Sequence, residues 1–98
     1  MKIRPKYHVW FLRKSWINGI TIYPFIFFKQ RKFFVSDRLF RHEMEHIYQV
    51  KREGWFKFYA KYLYYQYKFG YKQIPYEVEA RAVQFNPLTE AERQLKDS

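Results

Sequence analysis

Ser36-Asp-Arg-Leu-Phe-Arg-His-Glu-Met-Glu-His-Ile-Tyr-Gln-Val-Lys-Arg-Glu-Gly54 is the stretch on which the reading of this chain turns. Ser36 is a good helix N-cap, and Asp37 sits favourably in the first turn, near the positive end of the helix dipole. Lys51 and Arg52 suit the opposite end, and Gly54 is placed as the C′ residue that ends the helix. These signals predict a helix from Asp37 to about Glu53. Leu39, Phe40, Ile47 and Val50, completed by Met44, give it an apolar stripe.

His42 and His46 stand four apart on that helix, so both imidazoles project from one face and can reach a single ion. Glu43 lies about a quarter turn away, beside the ion and not on it. A carboxylate there can take a proton from a zinc-bound water and return it to a leaving amine. His42-Glu43-Met44-Glu45-His46 is the zincin pattern. The plain alternative is a solvated basic face; against it, the pattern uses two of only 3 His in the chain. Catalytic zinc takes three protein ligands and keeps one position for water. The chain has no cysteine, so the third ligand must be His, Asp or Glu. The best candidates lie in Pro75-Tyr-Glu-Val-Glu-Ala-Arg-Ala82, where Glu77 and Glu79 are two apart and cannot face the same way on a helix. The alternative reading of these glutamates is stabilisation of the helix N-terminus.

Working outward, residues 1–8 are basic, contain Pro5 and read as a tail or an edge segment. His8 to Leu12 suits a short strand or a helix start, and Asn18-Gly19 is a turn signal. Gly19 to Lys29 reads as a strand, with Ile20, Ile22, Ile26 and Phe28 among its β-formers. Pro24 removes a ladder donor and makes it an edge or bulged strand. Gln30 to Lys32 form a polar turn, and Phe33 to Val35 a short strand or the entry to the next helix. After Gly54 a second helix is expected from about Trp55 to Phe69, ending at Gly70, and a third from Pro75 to about Phe85, ended by Asn86-Pro87. Thr89-Glu-Ala-Glu92 is a capping box and predicts a short fourth helix. The fold class is α+β: a short antiparallel sheet, three helices and a short C-terminal helix. Residues 1–86 form one domain, with a basic N-terminal segment at 1–8, and residues 87–98 are a polar C-terminal tail.

The 98 residues bury roughly two-thirds of their unfolded surface, so a metal or a partner would help the fold. The 10 Tyr, 11 Phe and 3 Trp are more rings than so small a core readily hides, and some are expected to line a groove or an interface. Absence of cysteine excludes disulfides and thiolate metal sites and fits a cytoplasmic protein. The longest apolar run, Ile20 to Phe28, is too short to span a bilayer. No secretory signal is recognisable at the N-terminus.

With strand, histidine helix and glutamate helix in this order, the chain resembles the gluzincins, zincins whose third ligand is a glutamate on a later helix. In particular it is similar to the minigluzincins, the minimal soluble forms, which are like the catalytic cores of membrane metallopeptidases such as the CAAX-prenyl protease and the HtpX-like peptidases. The resemblance covers about Gly19 to Phe85 and rests on Ile20–Phe28, Arg41-His-Glu-Met-Glu-His46 and Glu77-Val-Glu-Ala-Arg-Ala82. In those families the ligand glutamate is typically followed by Ala three later and Asp four later. That frame carries the ligand role to Glu77, followed here by Ala80 and by Arg81 in place of the Asp. The Asp usually orients a ligand histidine; a backbone carbonyl or Glu79 is the substitute expected here. The resemblance further implies a zincin-like domain with Zn2+ on His42, His46 and Glu77, and metalloendopeptidase activity with Glu43 as general base. It implies an edge strand over the cleft, Ile22 to Lys29, that pairs with an extended peptide or protein substrate. It also implies zymogen-like latency, with residues 87–98 or the segment before His8 filling the cleft. Tyr71, Tyr76 and His8 are the candidates for stabilising the oxyanion.

The net charge of +10, interleaved with aromatics, raises two rival readings. A nucleic-acid-binding module would use Lys29-Gln-Arg-Lys32 and Lys57 to Lys72. Against it, the basic residues fall at helix-like intervals and suit a solvated face. Peripheral membrane contact would use Tyr64 to Phe69, which mixes aromatics and lysine as interfacial helices do. A zinc protein that binds peptides without cutting them, and a homo-oligomer, are further alternatives.

Overall fold

Asp37–Glu53 forms the central helix, α1, and the rest of the chain is arranged round it. The computed structural model describes residues 3–15 and 17–97; Met1 and Lys2 of the basic N-terminal segment, Trp16, and Ser98 of the polar tail lie outside the described residues. The cap of α1 forms as its residues dictate. The Ser36 hydroxyl oxygen accepts from the Leu39 N–H at 3.0 Å, and Gly54 leaves the helix at φ +93°, where a side chain would be strained. Phe40, Met44 and Ile47, spaced i, i+4, i+7, turn one face of α1 onto the sheet, and Phe40 and Ile47 are wholly buried.

The sheet has β1 (Arg4–Lys6), β2 (Gly19–Ile22) and β3 (Phe25–Phe28) in the order β1-β3-β2. This small α+β domain matches the expected class, but the sheet departs from the expectation in three ways. The run from Gly19 to Lys29 is a hairpin and not one strand, because Pro24 cannot donate to a ladder; the chain reverses at Tyr23-Pro24, a cis peptide, and Ile22 pairs with Phe25. Asn18-Gly19 therefore opens β2 instead of turning between strands. The sheet is mixed, since β1 runs parallel to β3 with Pro5 opposite Ile26. The central strand is thus β3 and the edges are β1 and β2, so Ile22–Lys29 is not the edge strand. Trp10–Leu12 and Lys32–Phe34 are short 3-10 turns. Ile26 and Phe28 alternate into the core, where Phe28 stacks on Phe40 at 5.8 Å.

Trp55–Phe69 is α2, Pro75–Val83 is α3 and Glu90–Asp97 is α4. Gly70 ends α2 at φ +79°, and Pro75 takes the first position of α3. Val50, Phe58, Ile74 and Tyr76 form a second core that binds α2 and α3 to the C-terminal half of α1. Gln49 meets Tyr76 while His42 meets Gln84, so α3 runs back antiparallel to α1. No helix among the described residues is long and apolar enough to cross a membrane.

Residues 87–97 are not a separable tail. The capping box forms reciprocally, Thr89 N–H to Glu92 Oε1 at 2.9 Å and Glu92 N–H to Thr89 Oγ1 at 3.2 Å. Leu88 is buried in the main core, Tyr48 donates to Glu92, and Arg93 and Lys96 both hold Asp37 in the first turn of α1. A 98-residue chain cannot spare this apolar burial, which is why the segment is used as structure. Leu88→Ala should accordingly destabilise the whole domain by about 2–3 kcal/mol and lower Tm by roughly 10 °C. Thermal unfolding by circular dichroism checks this; an unchanged Tm would make 87–97 an appendage.

Candidate metal centre

His42 and His46 come together with Glu77 where the first turn of α3 crosses α1. His42 Nε2 lies 2.9 Å from Glu77 Oε1, and His46 Nε2 lies 3.2 Å from Glu77 Oε2. One ligand atom from each residue falls within 4.8 Å of the other two. In a tetrahedral site with ligand bonds of about 2 Å, ligand atoms stand roughly 3.3 Å apart, so the three fit one small cation. Glu79, two positions on, points elsewhere: it accepts from Gln49 Nε2 at 3.1 Å and from Arg52 at 3.0 Å. The periodicity of α3 thus separates the two glutamates, as a helix must.

Each imidazole is held by a glutamine on its other nitrogen. His46 Nδ1 is 2.9 Å from Gln49 Oε1, and His42 Nδ1 is 2.9 Å from Gln84 Oε1. The Gln49 amide nitrogen donates to Tyr76 O at 3.0 Å and to Glu79 Oε1, two groups that only accept. Its oxygen must therefore face His46, so Nδ1–H donates to it and Nε2 is the nitrogen turned toward Glu77. Sequence reasoning missed both glutamines. Gln49, three after His46, shows itself only by being wholly buried in the fold, and Gln84 is brought in only by the antiparallel return of α3. Glu79, the expected substitute for the absent Asp, acts at one remove, by holding Gln49. Arg81 takes no part, since its guanidinium donates to Lys72 O.

Burial sets the electrostatics. Glu77 is 2% exposed and His46 6%. Burial alone would raise the Glu77 carboxyl, but the His42 and His46 imidazoles and the Tyr62 hydroxyl, which donates to Oε2 at 2.6 Å, hold it well below the usual carboxylate range. Burial opposes protonation of His46, yet the contact with Glu77 and the charges of Glu43 and Glu77 carry its pKa up to about 9. A cluster that draws a proton onto a buried imidazole is one with a surplus of buried negative charge, and a divalent cation answers the same surplus.

Glu43 stands beside these three residues at 6% exposure, under β2. The Thr21 hydroxyl donates to Glu43 Oε1 at 2.8 Å. Gly19 lies alongside, where a Cβ would stand in contact at 3.4 Å from the Cγ, Cδ and Oε2 atoms of Glu43. Glu43, His42, His46 and Glu77 all line a cleft of about 710 Å³ walled by β2, α1 and α2. Of the three hydroxyl or imidazole candidates, only Tyr71 lines this cleft. Burial and the charges of Glu77 and Glu43 push its phenol up to about 12, so it keeps its proton and can donate. Tyr76 is packed into the second core, and His8 is an exposed residue at φ +54° whose N–H bonds Gln30 O. None of residues 3–7 or 87–97 lines the cleft, so neither described terminal segment fills it.

The edge of β2 that faces away from β3 has Tyr59 upon it, whose hydroxyl donates to Thr21 O at 3.1 Å and accepts from Tyr23 N–H at 2.9 Å. Compared with known protein families, curated proteins and solved structures, the chain matches none.

Zinc titration with atomic-absorption readout should find one ion bound by the parent and by Glu79→Ala, and none retained by Glu77→Ala. Gln84→Ala should keep the one-to-one stoichiometry but weaken binding by about 10-fold or more in a chelator competition. Equal zinc in the Glu77 and Glu79 variants would move the third ligand elsewhere.

Proposed function

We propose that the chain is a zinc-dependent endopeptidase of the gluzincin kind, with His42, His46 and Glu77 as metal ligands and Glu43 as general base. The observation that carries this reading is the convergence of two imidazole Nε2 atoms on one buried carboxylate, with a second buried carboxylate alongside in an open cleft. The donor set of two imidazoles and a carboxylate suits Zn2+ and leaves a coordination position open. Zinc bound there supplies Lewis acidity toward a carbonyl and toward water.

The chain's own residues account for the remaining work. Glu43, held at Oε1 by Thr21, takes a proton from the attacking water and delivers it to the leaving amine. Tyr71 donates toward the oxyanion from the cleft wall. Gln49 and Gln84 keep the histidines in one tautomer through the cycle. The substrate is a peptide laid along β2, in place of the expected Ile22–Lys29; with Thr21 O already engaged by Tyr59, the register available to it is short. A chain without cysteine fits work in the cytoplasm.

Glu43→Gln should bind zinc as the parent does and lose peptide hydrolysis by about 100-fold or more, measured on a quenched fluorogenic peptide library. Hydrolysis at the parent's rate would remove Glu43 as the base. A zinc-loaded parent that cleaves no member of the library would make the chain a zinc-dependent peptide-binding protein instead.

A further inference from the structure

α2 has two apolar faces, and the fold uses one. Phe58, Tyr59, Tyr62 and Tyr65 pack inward on the second core. Phe56, Ala60, Leu63, Tyr64 and Tyr67, spaced i, i+4, i+7, i+8 and i+11, form a second stripe on the far side. Phe56 is 78% exposed, Leu63 67% and Tyr67 91%. Lys57, Lys61 and Lys68 run beside this stripe, and no acidic residue lies between Trp55 and Phe69. Lys68 Nζ sits over the Tyr64 ring at 5.8 Å and the Phe69 ring at 5.4 Å, so its stem follows the apolar surface with the charge at its margin. Glu53, at the end of α1, is paired with Lys61 at 2.8 Å.

We propose that this outer face of α2 docks on an anionic lipid surface, the rings and Leu63 entering the headgroup–acyl boundary and the lysine row meeting the phosphates. The occupant follows from charge and shape. A second copy would bring two lysine rows and two chains of +10 together. A single-stranded nucleic acid takes a basic groove with stacking rings, whereas this face is a convex helix surface whose stripe includes Leu63 and Ala60. An apolar stripe bordered by lysines, with aromatics throughout, is the form of a helix lying in a bilayer interface. Leu63 and Gln66 also line the cleft, so the docking face borders it. Docking by this face requires neither the metal nor the reaction.

Flotation of the full chain tests it, with vesicles of phosphatidylcholine and about 30 mol% phosphatidylserine against vesicles of phosphatidylcholine alone. The parent should bind the anionic vesicles and not the neutral ones, with or without a chelator. Phe56→Ser/Tyr67→Ser, at exposed positions, should keep Tm and lose binding by about 10-fold or more. Lys57→Gln/Lys68→Gln should lose roughly 25-fold, near five-fold per charge. Absence of binding at low salt overturns the proposal, as does undiminished binding by Phe56→Ser/Tyr67→Ser, which would leave net charge as the sole cause. It is overturned too if that variant keeps vesicle binding but loses affinity for a single-stranded RNA oligonucleotide, or changes the parent from dimer to monomer in light scattering.

Discussion

The carboxylate of Glu77 is withdrawn from water and answered by groups from two other helices: His42 and His46 from α1, and the Tyr62 hydroxyl from α2. Leaving a carboxylate buried without such partners costs several kcal/mol, a large part of what a domain this size has. The position of α3 is therefore tied to the histidines. Val50, Phe58, Ile74 and Tyr76 lie close by and give the three helices the apolar contact that keeps the polar cluster in register. Polar satisfaction and packing support each other here: slippage of α3 would separate Gln49 from Tyr76 O and Glu77 from both imidazoles.

The sheet contributes to the same centre from the other side. β2 approaches α1 at Glu43, where the Thr21 hydroxyl donates to the carboxylate and Gly19 lies alongside it. Tyr59 of α2 then ties to Thr21 O and Tyr23 N–H, so the helix that covers the histidines also fixes the strand that covers Glu43. The cleft is the space these three elements leave between them. His42, Glu43 and His46 stand on α1, Glu77 on α3 and Thr21 on the paired strand β2, the supports that hold geometry best.

Features encoded by neighbours in the chain were legible in the sequence. Ser36, Gly54, Gly70, Pro75 and the Thr89–Glu92 box act within one or two turns of themselves, and the helices they bound are found. The spacing of His42 and His46 likewise needs only helix geometry. What escaped depends on partners far along the chain. β1 is three residues with Pro5 in the middle, and only the presence of β3 makes it a strand. Pro24 was readable as an obstacle to a ladder, but not as the reversal of a hairpin. Residues 87–97 look polar because their buried members are few; Leu88 and Glu92 become core once α1 lies beneath them. Glutamine is common on helix surfaces, so neither Gln49 nor Gln84 announces its role.

Those glutamines also bear on the charge of the centre. A carboxylate in their place would fix the same histidine tautomer but would add a formal negative charge to a site that already buries Glu43 and Glu77. With both imidazoles neutral, the two glutamates carry two negative charges, the number a divalent cation cancels. A third, at Gln49 or Gln84, would need a further proton or cation in a region where burial makes each unmatched charge costly. A neutral amide orients without that cost. Arg81 lies outside the centre, where its guanidinium holds Lys72 O beside Tyr71 of the cleft wall. The two glutamines thus hold His46 and His42 with no acidic residue at position 81.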